Sequence, residues 1–203
     1  MASATQGTSQ WSARGMAEMP PGIRLSDPAP ASIAHLAQPI GGSSLSILLS
    51  TFGIAQLPRP GRTASAGAGL IFGIAPQRWW LVREQGLPAD SKQDALVAGF
   101  GIAVDVSDAW SRFRIAGKAM LDLLAKGSTL DLDPRAFAEG TCALAAFAQL
   151  HTLLHRAHGA WHFDLYCGRS YARALHEWLI EAAAEFGCET LVEKGGATPQ
   201  STT

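Results

Sequence analysis

Residues 105–132, DVSDAWSRFRIAGKAMLDLLAKGSTLDL, constrain the fold more than any other stretch, because the apolar period changes within them. Asp105, Ser107 and Asp108 gather short side chains that accept hydrogen bonds from backbone N–H groups two or three residues on, the chemistry of a tight turn. Residues 110–115 then alternate, with Trp110, Arg112 and Arg114 on one face and Ser111, Phe113 and Ile115 on the other, which predicts a strand. Gly117 stops it. Met120, Leu121, Leu124 and Ala125 follow helical spacing over 118–126, and Gly127 stands where a left-handed C-terminal cap favours glycine.

The rest of the chain arranges itself around this unit. Residues 1–29 are rich in Ala, Ser, Thr, Gly and Pro without periodicity and predict a disordered tail, as do residues 189–203. Met16 and Met19 leave a natural start later than Met1 open. A single domain is expected over 30–188. In it, Ser43 or Ser44 caps a helix with an apolar stripe of Leu45, Leu48, Leu49 and Phe52, and Gly53 ends it. Pro58 and Pro60 force an extended connection. Strands at 67–74 and 79–83 pair around Ala75-Pro76-Gln77, a helix runs from Ser91 to Gly101 through Ala95, Leu96 and Phe100, and 102–106 returns to strand.

Beyond the helix at 118–126 come a turn at Pro134, a strand at 142–148, and a hairpin of 151–156 with 161–167. In the last helix, capped by Ser170, the residues Tyr171, Leu175, Trp178, Leu179, Ala182 and Phe186 form one apolar stripe. Two halves emerge, 30–101 and 102–188, each a helix, a proline loop, a hairpin and a helix. LSILL at 45–49 with LPR at 57–59 faces MLDLL at 120–124 with DPR at 133–135, and both closing helices end in Phe-Gly. Such a weak repeat fits a duplicated unit.

Charge and cysteines narrow the function. With 16 Lys plus Arg against 17 Asp plus Glu, the chain has no field to recruit nucleic acid or an anionic membrane. Its low charge and six Trp fit a protein that hides surface in a complex, and a large internal core explains the same composition. Cys142, Cys167 and Cys188 have no CxxC spacing, so neither a disulfide framework nor a zinc knuckle is indicated, and a reducing cytoplasm is the expected compartment. The start is not a secretory signal, and no apolar run reaches the roughly 18 residues of a membrane span.

Candidate sites are few. His151, His155, His158 and His162 would share one stripe on a helix and suggest a metal, but Gly159 and the flanking Leu150, Leu153, Leu154, Phe163 and Leu165 fit strands around a turn, which scatter the imidazoles. No metal site is expected. Gly67-Ala68-Gly69 and Gly99-Phe100-Gly101 do not complete a phosphate-cradling fingerprint, and there is no P-loop or nucleophile elbow, so no catalytic or cofactor-binding residue is nominated. Asp105 and Asp108 could pair for acid–base work, though turn formation accounts for them. Arg112 and Arg114 could hold an anionic ligand tail or a partner's carboxylates, or simply face solvent.

A resemblance adds to this reading. DVSD at 105–108, RFRIAG at 112–117, LDLLAKGSTLDLDPRAF at 121–137, FDLYCGRSY at 163–171 and the helix of Trp178 together resemble the gamma subunit of heterotetrameric sarcosine oxidase. Phe52-Gly53, LPRPGR at 57–62 and IAPQRWWLV at 74–82 resemble that subunit's first half in the same order. More distantly, DVS followed by a strand, a glycine and a helix resembles the folate-binding domain of the glycine-cleavage T-protein. That implies an α+β fold of duplicated β-α-β units, with sheets covered by helices.

The gamma-subunit resemblance implies a role in assembly and stability beside alpha, beta and delta subunits. The complex oxidatively demethylates sarcosine to glycine, producing hydrogen peroxide and either formaldehyde or 5,10-methylenetetrahydrofolate. FAD, FMN, NAD and tetrahydrofolate are expected on the partner subunits and none on this chain. The alternative is a stand-alone folate-binding protein or aminomethyl transferase, although the resemblance stops near Gly187 and nothing corresponds to the T-protein's C-terminal barrel.

Overall fold

The computed structural model describes residues 22–27, 31–38, 56–66, 69–84 and 102–192. The helices expected from Ser43 or Ser44 to Phe52 and from Ser91 to Gly101, and the outer parts of both expected tails, lie outside the described residues.

Two sheets carry the fold, the first entirely antiparallel and the second mixed. One contains β2 (Ser32–Ala37), β3 (Thr63–Ala66), β4 (Gly69–Ala75), β5 (Arg78–Arg83) and β6 (Ile102–Asp105), in the order β3-β4-β5-β2-β6. The other contains β1 (Ile23–Asp27), β7 (Trp110–Ala116), β8 (Cys142–Phe147), β9 (Leu150–Arg156), β10 (His162–Gly168) and β11 (Cys188–Val192), in the order β11-β1-β7-β10-β9-β8. Read from the meander inward, β3-β4-β5-β2-β6 and β8-β9-β10-β7-β1 are the same order. Each sheet thus has a three-strand meander, then the strand that precedes it in sequence, then an antiparallel neighbour, which is the edge strand in the first sheet and is followed by β11 in the second. These two neighbours cross over: β6 follows residue 101 yet stands beside β2, while β1 stands beside β7.

Helices α1 (Met120–Gly127) and α2 (Ala172–Ala183) pack on the outer face of the second sheet. Leu123, Leu124, Leu175 and Leu179 bury completely against Ile115, Phe163 and Leu165. Burying each such side chain contributes roughly 1.5–3 kcal/mol. The inner face of that sheet meets the first sheet through Tyr166, Leu153 and Cys142 on one side and Phe72, Trp80, Val82 and Ile33 on the other. Among the described residues no helix is long and apolar enough to cross a membrane.

Several expectations hold and several are corrected. The β4–β5 hairpin turns at Pro76-Gln77, β7 and α1 follow the predicted period switch, and β9 pairs with β10. Both expected tails, however, contain a paired strand: Ile23 and Leu25 of β1 are buried, and β1 pairs in parallel with β11. Gly117, which ends β7, has a positive φ and passes so close to Gly22 that a Cβ would lie 2.2 Å from its carbonyl oxygen.

Gly127 is not a left-handed cap. It is the last residue of α1, Ser128 beyond it is extended, and a Cβ there would come 2.6 Å from the Phe147 ring, so packing demands the glycine. The strand expected over 142–148 stops at Phe147, because Ala148 and Gln149 turn back into β9 with φ of 47° and 65°. At the start of α2, Ser170 lies within a 3-10 turn, and no side chain caps the helix. Tyr171, placed in the apolar stripe by sequence, is exposed, and Trp178 is half-buried, edge-on to Phe147.

Candidate functional site

Because α1 and α2 cover one face of the second sheet and the first sheet covers the other, the side chains of β7 from Arg112 to Ala116 are buried or nearly so whichever way they point. Phe113 and Ile115 face the helices. Arg112 and Arg114 face the first sheet, with side chains only 5 % and 11 % exposed. The solvent-facing reading of these arginines is thereby corrected.

A buried guanidinium needs compensation, and both have it. Arg112 donates from Nη1 and Nη2 to the two oxygens of Glu84, at 2.7 and 2.9 Å, reaching from the second sheet to the end of β5 in the first. Arg114 donates from Nε and Nη2 to Asp164, at 2.7 and 3.1 Å. Bidentate pairing of this kind fixes orientation as well as charge.

Strand register extends the polar line. Ser26 on β1 pairs with Arg114 on β7, Arg114 with Asp164 on β10, Asp164 with His155 on β9, and His155 with Cys142 on β8. This row crosses five strands. His162, also on β10, places Nε2 3.8 Å from Asp164. Burial alone would raise the pKa of Asp164, but Arg114 above all, with His162 and Arg112, outweighs it and holds the carboxyl well below its ordinary range. Burial dominates for His155 and His162, pulling each down to about 4 although Asp164 acts in the opposite direction. Burial likewise pushes the Tyr166 phenol up, and the Cys142 and Cys167 thiols up to about 12 and about 11, far from reactive thiolates.

Beside the row, a cavity of about 320 Å³ opens between the sheets, with Arg112, Arg114, His155, His162 and Asp164 on one side and Leu70 and Val82 of the first sheet on the other. Neither nitrogen of His155, nor Nδ1 of His162, has a hydrogen-bond partner among the described residues.

The remaining sequence candidates are dispersed. Asp105 accepts hydrogen bonds from the backbone N and the hydroxyl of Ser107, at 2.9 and 2.5 Å, as turn chemistry predicts. Asp108 instead pairs with Arg169 at the surface. The alternative reading of the two as a carboxylate pair has no counterpart in these contacts. His151 is exposed, but His158, 3.2 Å from the Thr63 hydroxyl, lines the same cavity as His155 and His162, so three of the four imidazoles that the strands are expected to scatter share it. No group of three or more potential metal ligands occurs among the described residues. Gly99-Phe100-Gly101 lies outside those residues, as do Gly67 and Ala68 of the other GxG. Sequence reasoning missed the Arg114–Asp164–His155 row because Asp164 and His155 become neighbours only through the β9–β10 register.

No curated protein matches the chain by sequence. Its fold is similar to a chain of the heterotetrameric sarcosine oxidase from Corynebacterium sp. U-96, solved with pyrrole 2-carboxylate, with a TM-score of 0.73 and 22 % identity over 83 % of this chain and 87 % of that one. It is also similar to the glycine cleavage system aminomethyltransferase T from Bartonella henselae, with a TM-score of 0.65 and 15 % identity over 87 % of this chain. That second likeness spans 49 % of the transferase. A family model described as "Sarcosine oxidase, gamma subunit family" matches residues 52–185 of the 203. The chain, an α+β protein with the T-protein-like fold, therefore belongs to the sarcosine oxidase gamma subunit family.

Proposed function

We propose that this chain acts as the gamma subunit of a heterotetrameric sarcosine oxidase, supporting the assembly and stability of a complex that oxidatively demethylates sarcosine to glycine. The family match over residues 52–185 carries this reading. In it, the partners are the alpha, beta and delta subunits, and FAD, FMN, NAD and tetrahydrofolate belong to them. The strands from β1 to β11 belong to one domain of two related halves, and the complex is cytoplasmic.

The chemistry of the described residues supports a non-catalytic role. The buried titratable groups are neutral imidazoles, phenol and thiols, or charged groups already hydrogen-bonded within the chain. Arg112 and Arg114, which an anionic folate tail would require, are occupied by Glu84 and Asp164. Ile102 and Val104, on the edge strand β6, are 53 % and 50 % exposed. A partner that covers them and binds only the folded chain adds RT ln(1 + [L]/Kd), about 2.7 kcal/mol at a free concentration 100 times Kd.

Co-expression with candidate alpha, beta and delta chains tests the proposal. One species containing all four is expected on size-exclusion chromatography. A monodisperse chain that elutes alone and binds tetrahydrofolate with micromolar affinity would favour the aminomethyltransferase-related alternative.

A further inference from the structure

Buried polar atoms without partners are uncommon, because each gives up hydration for nothing, so several on one cavity point to something that occupies it. His155 is 1 % exposed with both ring nitrogens unpartnered, and His162, 7 % exposed, leaves Nδ1 unpartnered. Both line the cavity between the sheets, and its volume of about 320 Å³ is in the range of small-molecule sites. At roughly 30 Å³ per water, the space is equivalent to about ten waters.

Charge restricts what can enter. Arg112 and Arg114 already balance Glu84 and Asp164, and both imidazoles are neutral near pH 7. A carboxylate or phosphate would bring an uncompensated charge between two sheets, or would have to displace Glu84 from Arg112. A neutral molecule meets neither cost. Each neutral imidazole offers one N–H donor and one acceptor, which a carboxamide or lactam matches with its own acceptor and donor. Tyr166 on one sheet and Leu70 and Val82 on the other provide walls suited to a flat ring.

We propose that the space between the two sheets is a binding site for a small, neutral, planar amide-bearing molecule, held by the ring nitrogens of His155 and His162. The site is built from this chain's own residues and does not rest on the assembly reading.

Equilibrium dialysis with radiolabelled benzamide and benzoate, alike in shape and different in charge, tests it on the full-length chain in whatever assembly it purifies with. Benzamide should bind saturably in the millimolar range, benzoate at least about tenfold more weakly. His155→Phe, which keeps a ring but removes both nitrogens, should weaken benzamide at least about tenfold while leaving every partner's site unchanged. Leu70→Trp, which fills the cavity from the facing sheet and keeps both histidines, should give the same loss even if His155→Phe fails to fold. Equal affinity for the two probes, no saturable benzamide binding, or binding indifferent to both substitutions would overturn the proposal.

Discussion

Arg114 and Asp164 face each other across β7 and β10, joined by two hydrogen bonds, with side chains 11 % and 5 % exposed. Breaking such a pair from one side leaves a buried charge alone, whereas replacing both members removes the desolvation cost with the attraction. Arg114→Met should therefore cost about 3–5 kcal/mol in urea denaturation, and Arg114→Met with Asp164→Leu should recover most of it. A single substitution within about 1 kcal/mol of wild type, the value of an exposed pair, would show that the pair is not buried in solution.

The same row makes the fold sensitive to acid. His155 and His162 titrate near 6.5 when unfolded and at about 4 when folded, so between these values the unfolded chain binds more protons. Stability should be complete above pH 6.5 and fall by about 3 kcal/mol per histidine as pH drops to 4. Glu84 and Asp164, both depressed, add a further loss below that window, as pH falls through their folded values. His155→Phe should flatten the slope of unfolding free energy between pH 6.5 and 4 by one proton. A slope unchanged by the substitution would mean that the ring is hydrated and titrates normally.

What the sequence made legible depends on how local the determinant was. The switch from β7 to α1 needs only the change of period around Gly117, and it was readable at once. The fate of Arg112 and Arg114 was not, because alternation shows that two faces differ without showing that a second sheet covers the polar one. β1 was hidden by its setting: Ile23 and Leu25 alternate with Arg24 and Ser26, but five residues inside a Pro- and Ser-rich stretch do not alter its average. At Gly127 the sequence signals a glycine position and misleads about its cause, since the need for a missing side chain comes from Phe147, twenty positions away.

The β8–β9 turn was unreadable because it breaks the usual rule. Tight two-residue hairpins with both residues at positive φ favour Asn-Gly, yet Ala148 and Gln149 occupy it, with φ of 47° and 65°. The backbone N–H of Ala148 donates to the Gly127 carbonyl at 2.8 Å, tying the strained turn to the end of α1. Ala148→Asn with Gln149→Gly should relieve the strain and stabilise the chain by about 1–2 kcal/mol, raising the thermal midpoint. An unchanged or lower midpoint would show that the turn adopts another conformation.

The gamma-subunit proposal assigns this chain assembly and stability rather than chemistry. Its most direct test is to express the candidate alpha, beta and delta chains with and without it, and to measure both the yield of assembled oxidase and the KM for sarcosine. The account predicts that omission sharply lowers the yield of assembled enzyme while the molecules that do form keep nearly the same KM. Full yield without the chain, or unaltered yield with a KM changed severalfold, would contradict it.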